Sequence, residues 1–126
     1  MIFNNISNQN DLLGAALQAS VARNDAIANN ITNAETPGYK KRSVSFEKAF
    51  NEALDKYRKT GKLDLGGVTP TVQFEHLNYY YRIDENNIDI ESEMVDLYEN
   101  AMKYEVLISG VMNNYKRLNL VLNGIK

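Results

Sequence analysis

The side chains that could do chemistry fall in three places. Asp84, Glu85, Asp89, Glu91 and Glu93 crowd into one short stretch, His76 sits between Phe74 and Tyr79-Tyr80-Tyr81, and Lys40-Lys41-Arg42 form a basic cluster. Paired carboxylates can exchange protons or hold a divalent cation, an imidazole can shuttle protons, and clustered bases can meet phosphate or an acidic surface. Each chemistry lacks a requirement. A calcium loop needs acids or amides at alternate positions followed by glycine, and the 84–93 stretch has no such order. His76 is the sole histidine and the chain has no cysteine, so neither a His cluster, a Cys/His pair, a thiolate metal site nor a disulfide can form. No phosphate-binding glycine loop and no zinc-protease motif is present. The acids instead sit where a helix start favours negative charge. His76 and the tyrosines read as surface or packing aromatics. No residue is assigned to catalysis, to a cofactor or to a metal.

The totals agree. A chain of 126 residues with 44% hydrophobic and 24% charged residues makes one modest globular domain. A net charge of −2 and a pI near 5.4 speak against nucleic acid as a partner. No apolar run approaches the roughly 18 residues of a membrane span. The N-terminus lacks the basic-then-apolar order of a secretory signal, so work outside the cytoplasm would need another export route.

What remains is periodicity. Ile90, Met94, Leu97, Ala101, Tyr104, Ile108, Val111, Tyr115, Leu118, Leu122 and Ile125 follow one another in steps of four and three. That is the repeat of about 3.5 residues that makes a coiled-coil seam. One helix from Asp89 onward would run about 50 Å. Val95, Tyr98, Met102, Leu107, Met112 and Val121 widen the stripe, so this helix should meet more than one neighbour. A first helix is expected from about Asp11, capped by Ser7 or Asn10, after a frayed start. Its stripe, Ile6, Leu13, Leu17, Ser20, Asn24, Ile27, Ile31 and Ala34, is interrupted by polar residues, so the helix needs a partner.

Pro37 must end that helix, and Thr36-Pro37-Gly38-Tyr39 is a turn. A second helix is predicted over 45–59, capped by Ser45, stopped by Gly61, with Phe46, Ala49, Phe50, Ala53, Leu54 and Tyr57 on one face. Residues 63–88 carry Gly66-Gly67, Pro70 and strand formers, and read as a loop or one short hairpin. The expected fold is mainly α: long N- and C-terminal helices in a coiled-coil or bundle, a short middle helix, and an irregular or small β segment. The regions are 1–36, 37–60, 61–88 and 89–126 of a single domain.

Two segments carry a resemblance. Asn29-Asn30-Ile31, Asn33-Ala34 and Thr36-Pro37-Gly38-Tyr39-Lys40 resemble the end of the first helix in the bacterial flagellar axial proteins. Asn87-Ile88-Asp89-Ile90-Glu91 resembles the start of their last helix. The short length, without room for an inserted β domain, is similar to the proximal-rod members. The resemblance implies a structural rod subunit of the basal body, assembled with itself and other rod subunits through its terminal helices. It implies contact with basal-body ring and export-gate junction proteins, and export to the periplasmic rod by the flagellar type III apparatus without a cleaved signal. Asn29, Asn30, Asn33, Thr36, Pro37, Gly38, Tyr39, Asn87 and Asp89 would be its motif residues. A soluble dimeric helical adaptor or export chaperone is the competing reading, with a small enzyme far behind.

Overall fold

The computed structural model describes residues 2–75 and 86–124. Its elements are α1 (Ile2–Thr32), β1 (Arg42–Ser45), α2 (Glu47–Thr60), β2 (Thr71–Phe74) and α3 (Ile90–Asn123). The mainly α architecture with long terminal helices matches the sequence-based expectation. His76 and Tyr79-Tyr80-Tyr81 lie outside the described residues.

α1 begins nine residues earlier than the expected start at Asp11. The polar opening turns are helical because they have tertiary partners: Ile6 is buried, and Asn10 meets Asn114 across the molecule. Burial and pairing override weak intrinsic propensity.

α1 ends as Pro37 requires. Tyr39 N–H donates to the Thr36 carbonyl at 3.3 Å, and Gly38 takes φ 71°. Proline then positive-φ glycine at the two central positions is the arrangement of a type II turn. α2 stops at Gly61, also left-handed, whose N–H reaches the Tyr57 carbonyl at 2.8 Å. Its expected Ser45 cap is not used. Ser45 closes β1 instead, and Phe46 occupies the N-cap without a side-chain hydrogen bond.

The small sheet is not a local hairpin within 63–88. β1 pairs antiparallel with β2, Arg42 opposite Phe74 and Ser45 opposite Thr71, with α2 inside the connection. The ladder continues one step, Glu75 N–H to Lys41 carbonyl at 2.8 Å. Arg42 lies over the Phe74 ring at 5.6 Å, which lets a cation occupy a strand facing an aromatic.

The core forms where α2 and the 65–68 loop lie on α1. Ala15 and Ala19 of α1 meet Phe46 and Val68, with Ala49, Phe50, Ala53 and Leu65 around them. The Phe46 and Phe50 rings stack at 5.1 Å. Burying Phe46 contributes about 1.5–3 kcal/mol. The alanines matter because their small side chains leave room on α1 for Phe46 and Val68. Arg23 pairs with Glu47 above this contact, tying α1 to the first turn of α2.

Candidate assembly interface

α1 and α3 pack antiparallel, and polar pairs mark the register. Asn30 donates to Glu93 at 3.0 Å. Ser20 and Asn100 exchange two bonds, the hydroxyl to Asn100 Oδ1 at 3.1 Å and Asn100 Nδ2 to the Ser20 carbonyl at 2.8 Å. Asn114 donates to Asn10 at 3.0 Å. As numbers fall along α1 they rise along α3. The fully buried residues of α3 are Glu93, Asn100 and Asn114, all polar.

These pairs correct the seam read from the sequence. The line that α3 turns inward is Glu93, Leu97, Asn100, Leu107, Val111, Asn114, Leu118 and Val121, each buried or half-buried, with Tyr104 at 41% exposure on the same line. It keeps the four–three repeat. Of the seam read from the sequence, Leu97, Tyr104, Val111 and Leu118 lie on this line. Met94, Ala101, Ile108, Tyr115 and Leu122 are each one residue beyond the true inward position. Met94 and Ile108 are half-buried, while Ala101, Tyr115 and Leu122 are exposed. A one-residue step turns a helix by about 100°, so this second line points to the side of the pair. On α1, Ile27 is buried, Leu13, Leu17 and Ile31 are half-buried, and Asn24 is exposed. Leu13 packs over Gly110, where a Cβ would lie 3.4 Å from its methyl carbon, at the edge of ordinary contact.

Where α1 ends and α3 begins, three buried asparagines knit four segments together. Asn30 accepts from the Arg42 N–H and donates to the Arg42 carbonyl, both at 2.8 Å. Asn86 donates toward the carbonyls of Asn33, Ala34 and Thr36 at 2.8–3.0 Å, and its Oδ1 accepts from Ile88 N–H. It therefore ties the turns that follow α1 to the segment entering α3. Asn87 accepts from Lys41 N–H at 2.7 Å and donates to the Glu75 carbonyl at 3.0 Å, bracketing both strands. Asp89 caps α3 by accepting from Glu91 and Ser92 N–H.

Glu93 was assigned to helix-start solvation, and the structure corrects this. It is 1% exposed, receives Asn30 on one oxygen and holds Lys41 Nζ at 3.0 Å on the other. Burial disfavours the charge on Lys41, but the hydrogen bond and field of Glu93, with Glu75 and Asp96 beyond it, prevail and raise the ammonium above its ordinary 10.5. So one member of the basic cluster is an internal partner. The chain separation of Lys41 from Glu93 gave no local signal for it.

The remaining motif residues stay near the end of α1. Asn29 Nδ2 donates to the Asp25 carbonyl and Asn33 Nδ2 to the Asn29 carbonyl, both at 2.8 Å, while Thr36 donates to Asn33 Oδ1 at 3.1 Å. Tyr39 is half-buried, its hydroxyl 3.4 Å from Asn30 Oδ1. Among the described residues no His/Cys/Asp/Glu group of three could hold a metal, and no helix is long and apolar enough to cross a membrane.

Residues 13–40, which run from Leu13 through this junction, match the family described as "Flagella basal body rod protein". Over most of its length the chain is similar to proteins named "Flagellar basal body rod protein FlgB". It is 29% identical to that of Borrelia hermsii, covering 89% of this chain and 93% of the relative. It is 28% identical to that of Bacillus subtilis (strain 168), covering 88% and 90%. It is also 28% identical to that of Salmonella typhimurium (strain LT2), covering 86% and 88%. The matched junction and the similarity over most of its length make this chain similar to the flagellar basal body rod proteins, which are structural subunits.

Proposed function

We propose that the chain builds the proximal part of the rod, joining copies of itself and sister rod subunits through α1 and α3. It meets the ring and export-gate junction proteins at the base of the rod. It reaches the periplasmic rod through the flagellar type III apparatus, without a cleaved signal. Asn29, Asn30, Asn33 and the Thr36-Pro37-Gly38-Tyr39 turn fix where α1 stops, and Asn87 and Asp89 fix where α3 starts, so that the two assembly helices leave one rigid corner.

The observation that carries this reading is the split stripe of α3. Its inward line closes on α1 with polar pairs, while Val95, Tyr98, Met102, Val106, Met112, Tyr115, Leu120 and Leu122 are exposed. An apolar surface of this extent calls for a partner. Running along one side of a long helix, it suits a heterologous contact that repeats from subunit to subunit rather than closing on itself.

The test is deletion and complementation. Cells lacking the chain are expected not to swim and to lack a rod beyond the export apparatus, both restored by the wild-type gene. Normal flagella in the deletion strain would refute the assignment.

A further inference from the structure

α2 rests on α1 and leaves an apolar trough against α3. Phe46 and Phe50 form one wall and Met102 and Val106 the other, with Ser20 on the floor, around a volume of about 520 Å³. Met102 and Val106 are 61% and 71% exposed. With Val95 and Tyr98 they form one face of α3, spaced three, four and four residues apart, so the trough opens onto a longer apolar stripe.

The charge along α3 indicates what covers it. From 90 to 105 the helix offers Glu91, Asp96, Glu99 and Glu105 against Lys103, Glu93 being buried on Lys41. From 106 to 124 it carries Lys116 and Arg117 and no acid. The trough lies beside the acidic half, lined on α3 by Glu99 and Lys103 and on the other side by Arg23 and Glu47, which pair with each other. The basic half presents its own exposed apolar face, Met112, Tyr115 and Leu122, with Lys116 alongside. The two halves are complementary in charge and alike in being uncovered, yet one straight helix cannot fold its own end back onto its start.

We infer that the trough between α2 and the first half of α3 receives the second half of α3 from another copy of this chain, joining copies head to tail. The inference rests on the rod reading and names the surface by which copies meet. Met112 and Tyr115 lie against Phe50, Met102 and Val106 of the next copy, and Lys116 comes to Glu99. The contact is heterologous, so each copy offers one free trough and one free helix end.

The chain has no cysteine, so disulfide trapping reads this contact cleanly. Met102→Cys and Tyr115→Cys in one chain stand about 20 Å apart along the same helix. A disulfide needs Cα atoms within about 7 Å, so any bridge between these two must join different copies. Oxidising concentrated purified protein, and cells carrying the variant as their sole copy, is expected to give a ladder of dimers, trimers and longer chains. Mixing the two single variants should give the mixed dimer in preference to either symmetric one. Val106→Cys with Leu122→Cys repeats the test should the first pair disturb folding. At low salt, Glu99→Lys or Lys116→Glu alone should lower the trapped fraction about two- to fivefold, the range for one exposed ion pair, and the two together should restore it. Symmetric dimers only, bridges to a different protein, or no ladder from either pair would overturn the proposal. Under reducing conditions the same strains report on the rod assignment separately: variants that swim but never cross-link defeat the trough alone, whereas a swimming deletion strain defeats both.

Discussion

Asn30 treats Arg42 as a neighbouring strand would. Its amide oxygen accepts from the Arg42 N–H and its amide nitrogen donates to the Arg42 carbonyl, each at 2.8 Å, and Nδ2 also reaches Glu93. A helix residue thereby substitutes for a missing strand along the inner edge of β1. Asn30→Ala leaves two backbone groups and a carboxylate oxygen unmet in a buried site. The expected loss is about 2–4 kcal/mol, at about 1 kcal/mol or more for each orphaned group. A lower urea midpoint at unchanged slope would report it. Asn30→Asp, which adds a carboxylate next to Glu93 and removes the donors, should be worse.

The buried pair of Lys41 and Glu93 gives a prediction in pH. The folded state raises the Lys41 value above its unfolded value near 10.5, so the ammonium's contribution to stability is fully present below that value. It is lost as pH climbs through the higher folded value. Melting temperature should therefore fall more steeply above about pH 10.5 in wild type than in Lys41→Met, which lacks the titrating group. At neutral pH Lys41→Met should itself be destabilised by about 3–5 kcal/mol, because it strands Glu93 in the interior. Equal alkaline slopes in the two proteins would rule out the linkage.

Gly38 should resist replacement for a backbone reason. Nothing would obstruct a Cβ there, but φ is 71°. Gly38→Ala is expected to lose about 1 kcal/mol through strain alone, with the native fold kept. Replacing Pro37-Gly38 by Ala-Ala goes further, since it removes both the helix stop and the turn. α1 should then overrun and rod assembly should weaken, which soft-agar swimming would measure.

Ile108 is on the lateral line of α3, half-buried in the single chain. Ile108→Asp should leave the purified protein helical by circular dichroism and abolish rod assembly. A charge set without a partner into a packed interface costs several kcal/mol. A strain that swims normally on this variant would remove Ile108 from the interface.

Local physics was readable in the sequence. The Asp89 cap, the Gly61 stop and the Pro37-Gly38 turn depend on adjacent residues, and each is where the residue types put it. The four–three repeat of α3 was legible too, but its phase was not. An apolar stripe two residues wide permits two seams, and the inward one carries Glu93, Asn100 and Asn114, which a hydrophobic pattern passes over. β1 escaped for a related reason: Arg42-Ser43-Val44-Ser45 looks like a polar linker until β2, beyond α2, supplies its ladder and Phe74 covers Arg42. The Ala15 and Ala19 contact was missed because alanine promotes helix without declaring a face. Asn86 and Asn87, within the stretch read as a loop or short hairpin, are buried because their amides serve three separate backbone segments.

The polar pairs along α1 and α3 bear on how the helices behave under shear. A seam of leucines can slide by a heptad and find similar sockets again. Here Asn10, Ser20 and Asn30 engage Asn114, Asn100 and Glu93 like the teeth of a rack, and slippage by one turn would leave every tooth facing hydrocarbon. Sliding α1 along α3 would have to break all three catches together, so the register resists shear as one unit.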